Sequence, residues 1–243
     1  MLLSEGDGFA ILFFMKTKKS SQPLTIYNRL LEQLGPSHWW PGDSPLEIMV
    51  GAILTQNTAW ANVQRALERL KKEKALSVSL LHQVDEGSLS EWIRSAGYYR
   101  VKAKRLKAYF SFLTSVYQGR IEDMGRQPLD LLREQLLMIK GIGPETADSI
   151  LLYALGMPTF VVDTYTYRIF SRHQWVTEEV GYEELRAYFM DRLPEDPQLY
   201  NEYHALLVRL GKEFCKKTNP RCGECPLKDF ENLPPLIREE SWG

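Results

Sequence analysis

Between Leu136 and Arg168 the chain reads LLMIKGIGPETADSILLYALGMPTFVVDTYTYR, and no other stretch restricts the fold as much. Ile139-Lys140-Gly141-Ile142-Gly143-Pro144 places two glycines where a tight turn must accept positive φ, with a proline suited to the first position of a following helix. Ala147, Ile150, Leu151 and Ala154 then recur at helical spacing. A glycine hairpin between two helices leaves backbone N–H groups pointing outward, a ready cradle for an anion. The apolar run Phe160-Val161-Val162 next delivers the carboxylate of Asp163, 163 − 143 = 20 residues beyond the second glycine. A phosphate-sized cradle and a carboxylate at fixed separation suggest chemistry rather than architecture alone.

The rest of the chain reads as helix. Ile26, Leu30, Leu31 and Leu34 line one face of a segment closed by Gly35-Pro36. Ser44-Pro45-Leu46-Glu47 is a capped start to a helix from Leu46 to about Thr55, apolar nearly all round and therefore buried. Further helices are expected near Ala59–Lys74, Val78–Leu81, Leu89–Ala96, Val101–Tyr117, Pro128–Met138, Thr164–His173, Tyr182–Arg192 and Asp196–Phe214. With little strand pattern anywhere, the expected class is all-α. Residues 1–22 and 232–243 are expected as poorly ordered tails, Met15 being an alternative start.

Length and composition permit much and exclude little. At 243 residues, with 44% hydrophobic and 25% charged side chains, the chain can bury one large core or two small ones. It has no stretch long enough to span a bilayer, and the Phe9–Met15 run lies between acids and lysines in the reverse order of a signal peptide, so a cytoplasmic protein is expected. The net charge of −1 leaves any nucleic-acid surface to local patches, and predicts salt-sensitive rather than strong non-specific binding.

The hairpin, followed by Val161-Val162-Asp163-Thr164, closely resembles the helix-hairpin-helix DNA glycosylases of the endonuclease III type. That resemblance implies that Gly141, Ile142 and Gly143, with Lys140 beside them, hold the phosphodiester backbone of damaged double-stranded DNA, and that Asp163 is the essential acid. The bland reading of Asp163, a helix N-cap ahead of Thr164, is compatible with that role. In lyase-competent members a lysine stands two residues after the second hairpin glycine; here the residue is Glu145, which cannot form an imine. The implication is a monofunctional glycosylase that leaves an abasic site. Gln56, in Leu54-Thr55-Gln56-Asn57-Thr58, matches the side chain that fills the gap left by a flipped base. Tyr98, in Gly97-Tyr98-Tyr99-Arg100-Val101-Lys102, matches the opposite-strand wedge, with Lys102 expected near phosphate. Trp39-Trp40-Pro41 and Trp60 resemble the aromatic pocket of the 3-methyladenine branch, where π faces select cationic alkylated purines. The alternatives are an endonuclease III-like enzyme for oxidised pyrimidines with lyase activity, and a non-catalytic hairpin DNA-binding protein.

All three cysteines sit in Cys215-x6-Cys222-x2-Cys225. The spacing resembles the endonuclease III iron–sulfur loop, except that Glu231 stands at the fourth ligand position. A [4Fe–4S] cluster with one labile corner is expected, with zinc or no metal as alternatives. By the same resemblance the fold has two lobes: a helical barrel over 41–156, and a second lobe from 23–40 and 157–231 ending in the cysteine loop. A monomer is expected.

Overall fold

The computed structural model describes residues 22–39, 42–177 and 179–230; Trp40, Pro41 and Glu231, and the two expected tails apart from Gln22, lie outside the described residues. Within them the chain is helical, with no strand, as the sequence pattern indicates. The α-helices are α1 (Gln22–Leu34), α2 (Pro45–Leu54), α3 (Trp60–Lys72), α4 (Val78–Gln83), α5 (Glu86–Trp92), α6 (Tyr99–Tyr117), α7 (Ile121–Met124), α8 (Leu129–Leu137), α9 (Pro144–Ser149), α10 (Thr164–Arg172), α11 (Tyr182–Met190) and α12 (Pro197–Glu213). A π-helical turn, Ile150–Ala154, extends α9, and short 3₁₀ turns cover Arg94–Ala96, Cys222–Glu224 and Lys228–Phe230. The short α7 has no counterpart in the sequence reading, since four residues carry no periodic signal.

Local chemistry explains the starts of the elements. Ser44 caps α2, its hydroxyl accepting from the Glu47 N–H at 3.3 Å with Pro45 in the first turn. Asp163, Asp85, Ser77 and Asp196 each cap a helix in the same way. The apolar stripes then sort into two cores. One gathers buried side chains from Ile48 through Met157, with α2 and α6 at its centre. The other gathers Ile26 and Leu30 from α1 with Phe160 through Leu227. Leu152 and Tyr153, on the π turn, pack into the second core although their helix begins in the first.

A buried charge network also joins the two cores. Asp148 on α9 is fully buried and takes a bidentate pair from Arg133 of α8 at 2.9 and 3.0 Å. It also accepts from Thr159 Oγ1 at 2.7 Å and from the Tyr182 hydroxyl at 2.9 Å, with Arg186 at 3.4 Å. The Tyr182 oxygen in turn accepts from the Val162 N–H at 3.4 Å. The hairpin helix and the strand-like run that carries Asp163 therefore share one satisfied polar centre, and breaking such a buried set from one side is costly.

Candidate active site and nucleic-acid interface

Asp163 emerges from three buried residues, Phe160, Val161 and Val162, directly into the N-cap of α10. Its Oδ1 accepts from the Tyr165 N–H at 2.9 Å, the Thr166 N–H at 2.8 Å and the Thr166 hydroxyl at 3.0 Å, forming a capping box. Its Oδ2 takes none of these and faces His204 Nε2 at 3.5 Å. Asp163 is only 8% exposed. Burial pushes its pKa upward, but the His204 imidazole and the Thr166 donors outweigh burial and hold the carboxyl below its ordinary range. It is an anion at neutral pH.

The carboxylate lies in a cleft of about 940 Å³ that also contains Trp39, Gln56, Trp60, Glu145, Tyr153 and His204. That volume suits one extruded base with its sugar. Trp39 meets Tyr153 edge-on, with centroids 5.2 Å apart and planes at 80°. Its loop is pinned to α12 by the Ser37 hydroxyl, which donates to Glu202 Oε2 at 2.7 Å. Trp60 packs across Gly51 of α2 on another wall. Glu145 is exposed and lines the cleft. The protein around it raises its pKa, the Asp163 anion adds to the rise, and His204 opposes both.

The hairpin needs one unusual glycine, not two. Gly141 has φ +93, and a Cβ there would fall 2.5 Å from Arg105 Cγ. Gly143 is extended at φ −98, ψ 177 and a Cβ on it meets nothing, so the expected positive φ at both positions is corrected. Ile142 is buried and its N–H donates to Ile139 O at 3.0 Å. It anchors and closes the turn, which leaves the amides on either side of it and the start of α9 to face an anion. Lys140 is exposed beside them.

Two side chains of α6 organise the surrounding loops. Arg105 lies over Gly141 and donates to Gln56 Oε1, while Gln56 Nε2 donates to Thr146 Oγ1 at 2.8 Å and to Gly141 O at 3.1 Å. Gln56 thus rests against the hairpin. Lys102 overturns its expectation: it is 1% exposed, not at a phosphate surface. Its Nζ donates to Leu54 O at 2.8 Å and Ala96 O at 2.7 Å, orphan carbonyls at two helix ends. Those carbonyls precede the Gln56 loop and the Tyr98 loop. Asn57 and Tyr98 are both in the left-handed region, with φ 52 and φ 47, and Tyr98 is 74% exposed.

Of the residues singled out by sequence, the structure brings Asp163, Trp39, Trp60 and Gln56 to one cleft, and Gln56 to the hairpin. Tyr98 stands on a separate exposed tip. Sequence reasoning missed His204, Tyr153, Glu202 and Asp148. Asp148 alone carried a local signal, a carboxylate on an otherwise apolar helix face. The others act across long sequence separations.

The cysteine loop follows α12. Cys215 and Cys225 are buried and Cys222 is exposed. Together they border a cavity of about 220 Å³ that Arg172 and Lys228 also line, and Arg172 Nη1 donates to Cys215 Sγ at 3.2 Å. Arg168 fixes the loop's start by donating to Cys215 O at 2.7 Å and Gly211 O at 3.1 Å. Three sulfurs around a common cavity, with cations beside them, fit an anionic thiolate-bound cluster. Among the described residues no three His, Cys, Asp or Glu side chains converge on one ion-sized point.

The glycine hairpin and a cleft that ends on an ionised carboxylate lie in one fold, and similarity to known proteins says which class of protein has this arrangement. The class is DNA base-excision glycosylase. The chain belongs to the HhH-GPD superfamily of base excision DNA repair proteins, whose family model matches residues 50–195, and residues 215–230 match the iron-sulfur binding domain of endonuclease III. It is 47% identical over 218 residues, 89% of this chain and 98% of the relative, to a predicted DNA repair glycosylase of Methanocaldococcus jannaschii. It is 31% identical to Thermotoga maritima endonuclease III, over 76% of this chain and 81% of that one. A structure of an endonuclease III–DNA complex superposes with TM-score 0.72 at 25% identity, covering 84% of this chain and 91% of that chain. The 3-methyladenine DNA glycosylase of H. pylori bound to 1,N6-ethenoadenine superposes with TM-score 0.65 at 29% identity, covering 79% and 97%. No helix among the described residues is long and apolar enough to cross a membrane.

Proposed function

We propose that this glycosylase is monofunctional, acts as a monomer on damaged double-stranded DNA, and releases alkylated purines of the 3-methyladenine kind, leaving an abasic site. One observation carries the reading. Where a lyase needs an amine beside the catalytic aspartate, this cleft holds Glu145, close enough to Asp163 for their charges to interact. Two carboxyl groups under the Trp39–Tyr153 aromatic wall complement a cationic base, through cation–π attraction of about 0.5–2 kcal/mol per ring and through charge. The two-lobed division at 41–156 belongs to this reading, with DNA across the cleft, Gln56 filling the vacated stack and Tyr98 wedging the opposite strand.

In the reaction the glycosidic bond lengthens and positive charge grows on the deoxyribose. Asp163, anionic in a site that excludes bulk water, stabilises that charge and orients the water that completes hydrolysis. Cys215, Cys222 and Cys225 hold a cluster whose role is to brace the loop carrying Lys216, Lys217 and Arg221 against DNA.

The test is base release from methylated and from oxidised-pyrimidine duplexes by wild type and Asp163→Asn. Wild type is expected to release methylpurines, and the variant to lose at least a hundredfold in rate, about 2.7 kcal/mol of transition-state stabilisation. Unchanged release by the variant would remove Asp163 from the mechanism and favour a plain DNA-binding role. The closer superposition on endonuclease III favours a second reading, oxidised-pyrimidine excision with lyase activity, in which Lys212 in the cleft is an available amine. Borohydride trapping separates the two: a covalent protein–DNA adduct contradicts the monofunctional assignment.

A further inference from the structure

The two oxygens of Asp163 are not equivalent. Oδ1 is saturated by three donors of the α10 capping box, and Oδ2 is left with His204. His204 is 8% exposed, and its buried Nε2 has no hydrogen-bond partner of ordinary length, standing 3.5 Å from Oδ2. Its Nδ1 is 2.7 Å from the Tyr153 hydroxyl. Tyr153 is clamped edge-on by Trp39, so the imidazole is fixed from behind. The tautomer that lets the Tyr153 O–H donate to Nδ1 leaves the proton on Nε2, aimed at Oδ2 and the cleft.

A buried polar atom without a partner, set beside the free oxygen of a catalytic carboxylate, needs a purpose. Burial alone drives a carboxyl towards its neutral form, which cannot stabilise a sugar cation. Apart from the Thr166 donors on Oδ1, the groups facing the pair do not relieve that pressure. Glu145 on α9 and Asp148 behind it are acidic, Tyr153 is buried, and Glu202 on α12 is held by Ser37. Arg209, Lys212 and Glu213 line the cleft further along α12. Of these groups only His204 contacts Oδ2.

We propose that His204, anchored by Tyr153, is the positioning residue that keeps Asp163 Oδ2 ionised and aimed at the reacting sugar, while Oδ1 serves the fold. This rests on the assignment of Asp163 as the essential acid. It adds that the acid works through one identifiable oxygen, and that a histidine 41 residues downstream (204 − 163) sets its pH range.

The experiment measures single-turnover base release against pH, on whichever duplex the wild type processes, for His204→Ala, His204→Gln, Tyr153→Phe and Asp163→Asn. His204→Ala is expected to lose tenfold to about a hundredfold in kcat, the worth of one hydrogen bond to a charged group once Nε2 closes on Oδ2 in the reacting complex, with KM little changed. Its acidic limb is expected at higher pH than wild type, because burial then acts on Asp163 less opposed. His204→Gln, which keeps an N–H donor, recovers part of kcat at neutral pH, and Tyr153→Phe moves the limb the same way by less. An unmoved acidic limb in His204→Ala, with any loss confined to KM or to melting temperature, overturns the proposal. If His204→Ala does not fold, Tyr153→Phe decides: a shifted limb supports the proposal and an unshifted one overturns it. Full activity in Asp163→Asn defeats the underlying assignment, whereas an inactive Asp163→Asn with an unshifted His204→Ala defeats this inference alone.

Discussion

Replacing Lys102 with methionine tests how the Gln56 and Tyr98 loops are held. The ammonium joins Leu54 O and Ala96 O, so its removal strands two buried carbonyls at about 1–3 kcal/mol each. Methionine fills most of the volume and relieves the cost of burying a charge, which offsets part of that loss. The net is roughly 2–4 kcal/mol, and at about 2–4 °C per kcal/mol for a chain of this size the melting temperature falls by roughly 4–16 °C. With the strut gone, the Gln56 and Tyr98 loops lose their shared tie. On the proposed function, affinity for a duplex with an abasic-site analogue is expected to drop while affinity for intact duplex holds. Because Lys102 touches no phosphate, the dependence of binding on salt stays as in wild type. Burial, with Arg105 adding to it, pushes the Lys102 pKa down from 10.5 to about 8. The folded state therefore sheds this proton before the unfolded state does, and its contribution to stability rises between about pH 8 and 10.5, a rise absent in the variant. Calorimetry and salt-series binding are the assays. A variant that melts like wild type but loses about one unit of salt slope would make Lys102 a phosphate contact and refute the reasoning.

Two further outcomes are expected. Gly141→Ala forces a side chain into positive φ and against Arg105, costing about 1–2 kcal/mol of stability and releasing Gln56; thermal melts and duplex binding should both weaken, and an unchanged affinity would detach the hairpin from DNA. Cys215→Ser removes one sulfur from the cavity; iron content and absorbance near 400 nm should fall together, and full retention of both would place the cluster elsewhere.

How much was readable depended on whether a residue's role is local. The α2 cap at Ser44, the apolar run before Asp163 and the hairpin turn are set by neighbours a few positions away, and pattern finds them. Lys102 shows where pattern fails. In sequence it belongs to a basic helix face, and a solvated cation near DNA is the natural expectation. Its actual partners lie 48 residues away and at a helix end just upstream, and only the packing of α6 under both loops reveals that the charge points inward. Gly143 fails for the opposite reason: a glycine suggests positive φ, yet nothing in GIG says which of the two takes it. His204 carries no signal at all, because a histidine on an amphipathic helix is more often a satisfied core residue, and its meaning comes from Tyr153 and Asp163 arriving on either side of it.

Asp163 shows why the structural and the chemical reading of one residue need not compete. A carboxylate has two oxygens, and the capping box consumes only one, fixing the side chain at three points and spending no flexibility on the other. Pre-organisation of that kind is what a site needs when charge develops in the transition state, since no dipole has to turn at the moment of reaction. The Asp148 network extends the same logic to the backbone: Tyr182 accepts from the Val162 N–H while donating to the carboxylate that α9 contributes. The hairpin helix and the chain that presents Asp163 are thus held to one buried centre. On the proposed function, that shared centre holds the hairpin and the reacting oxygen of Asp163 in a fixed relation, so the turn and the acid would meet one nucleotide without rearranging.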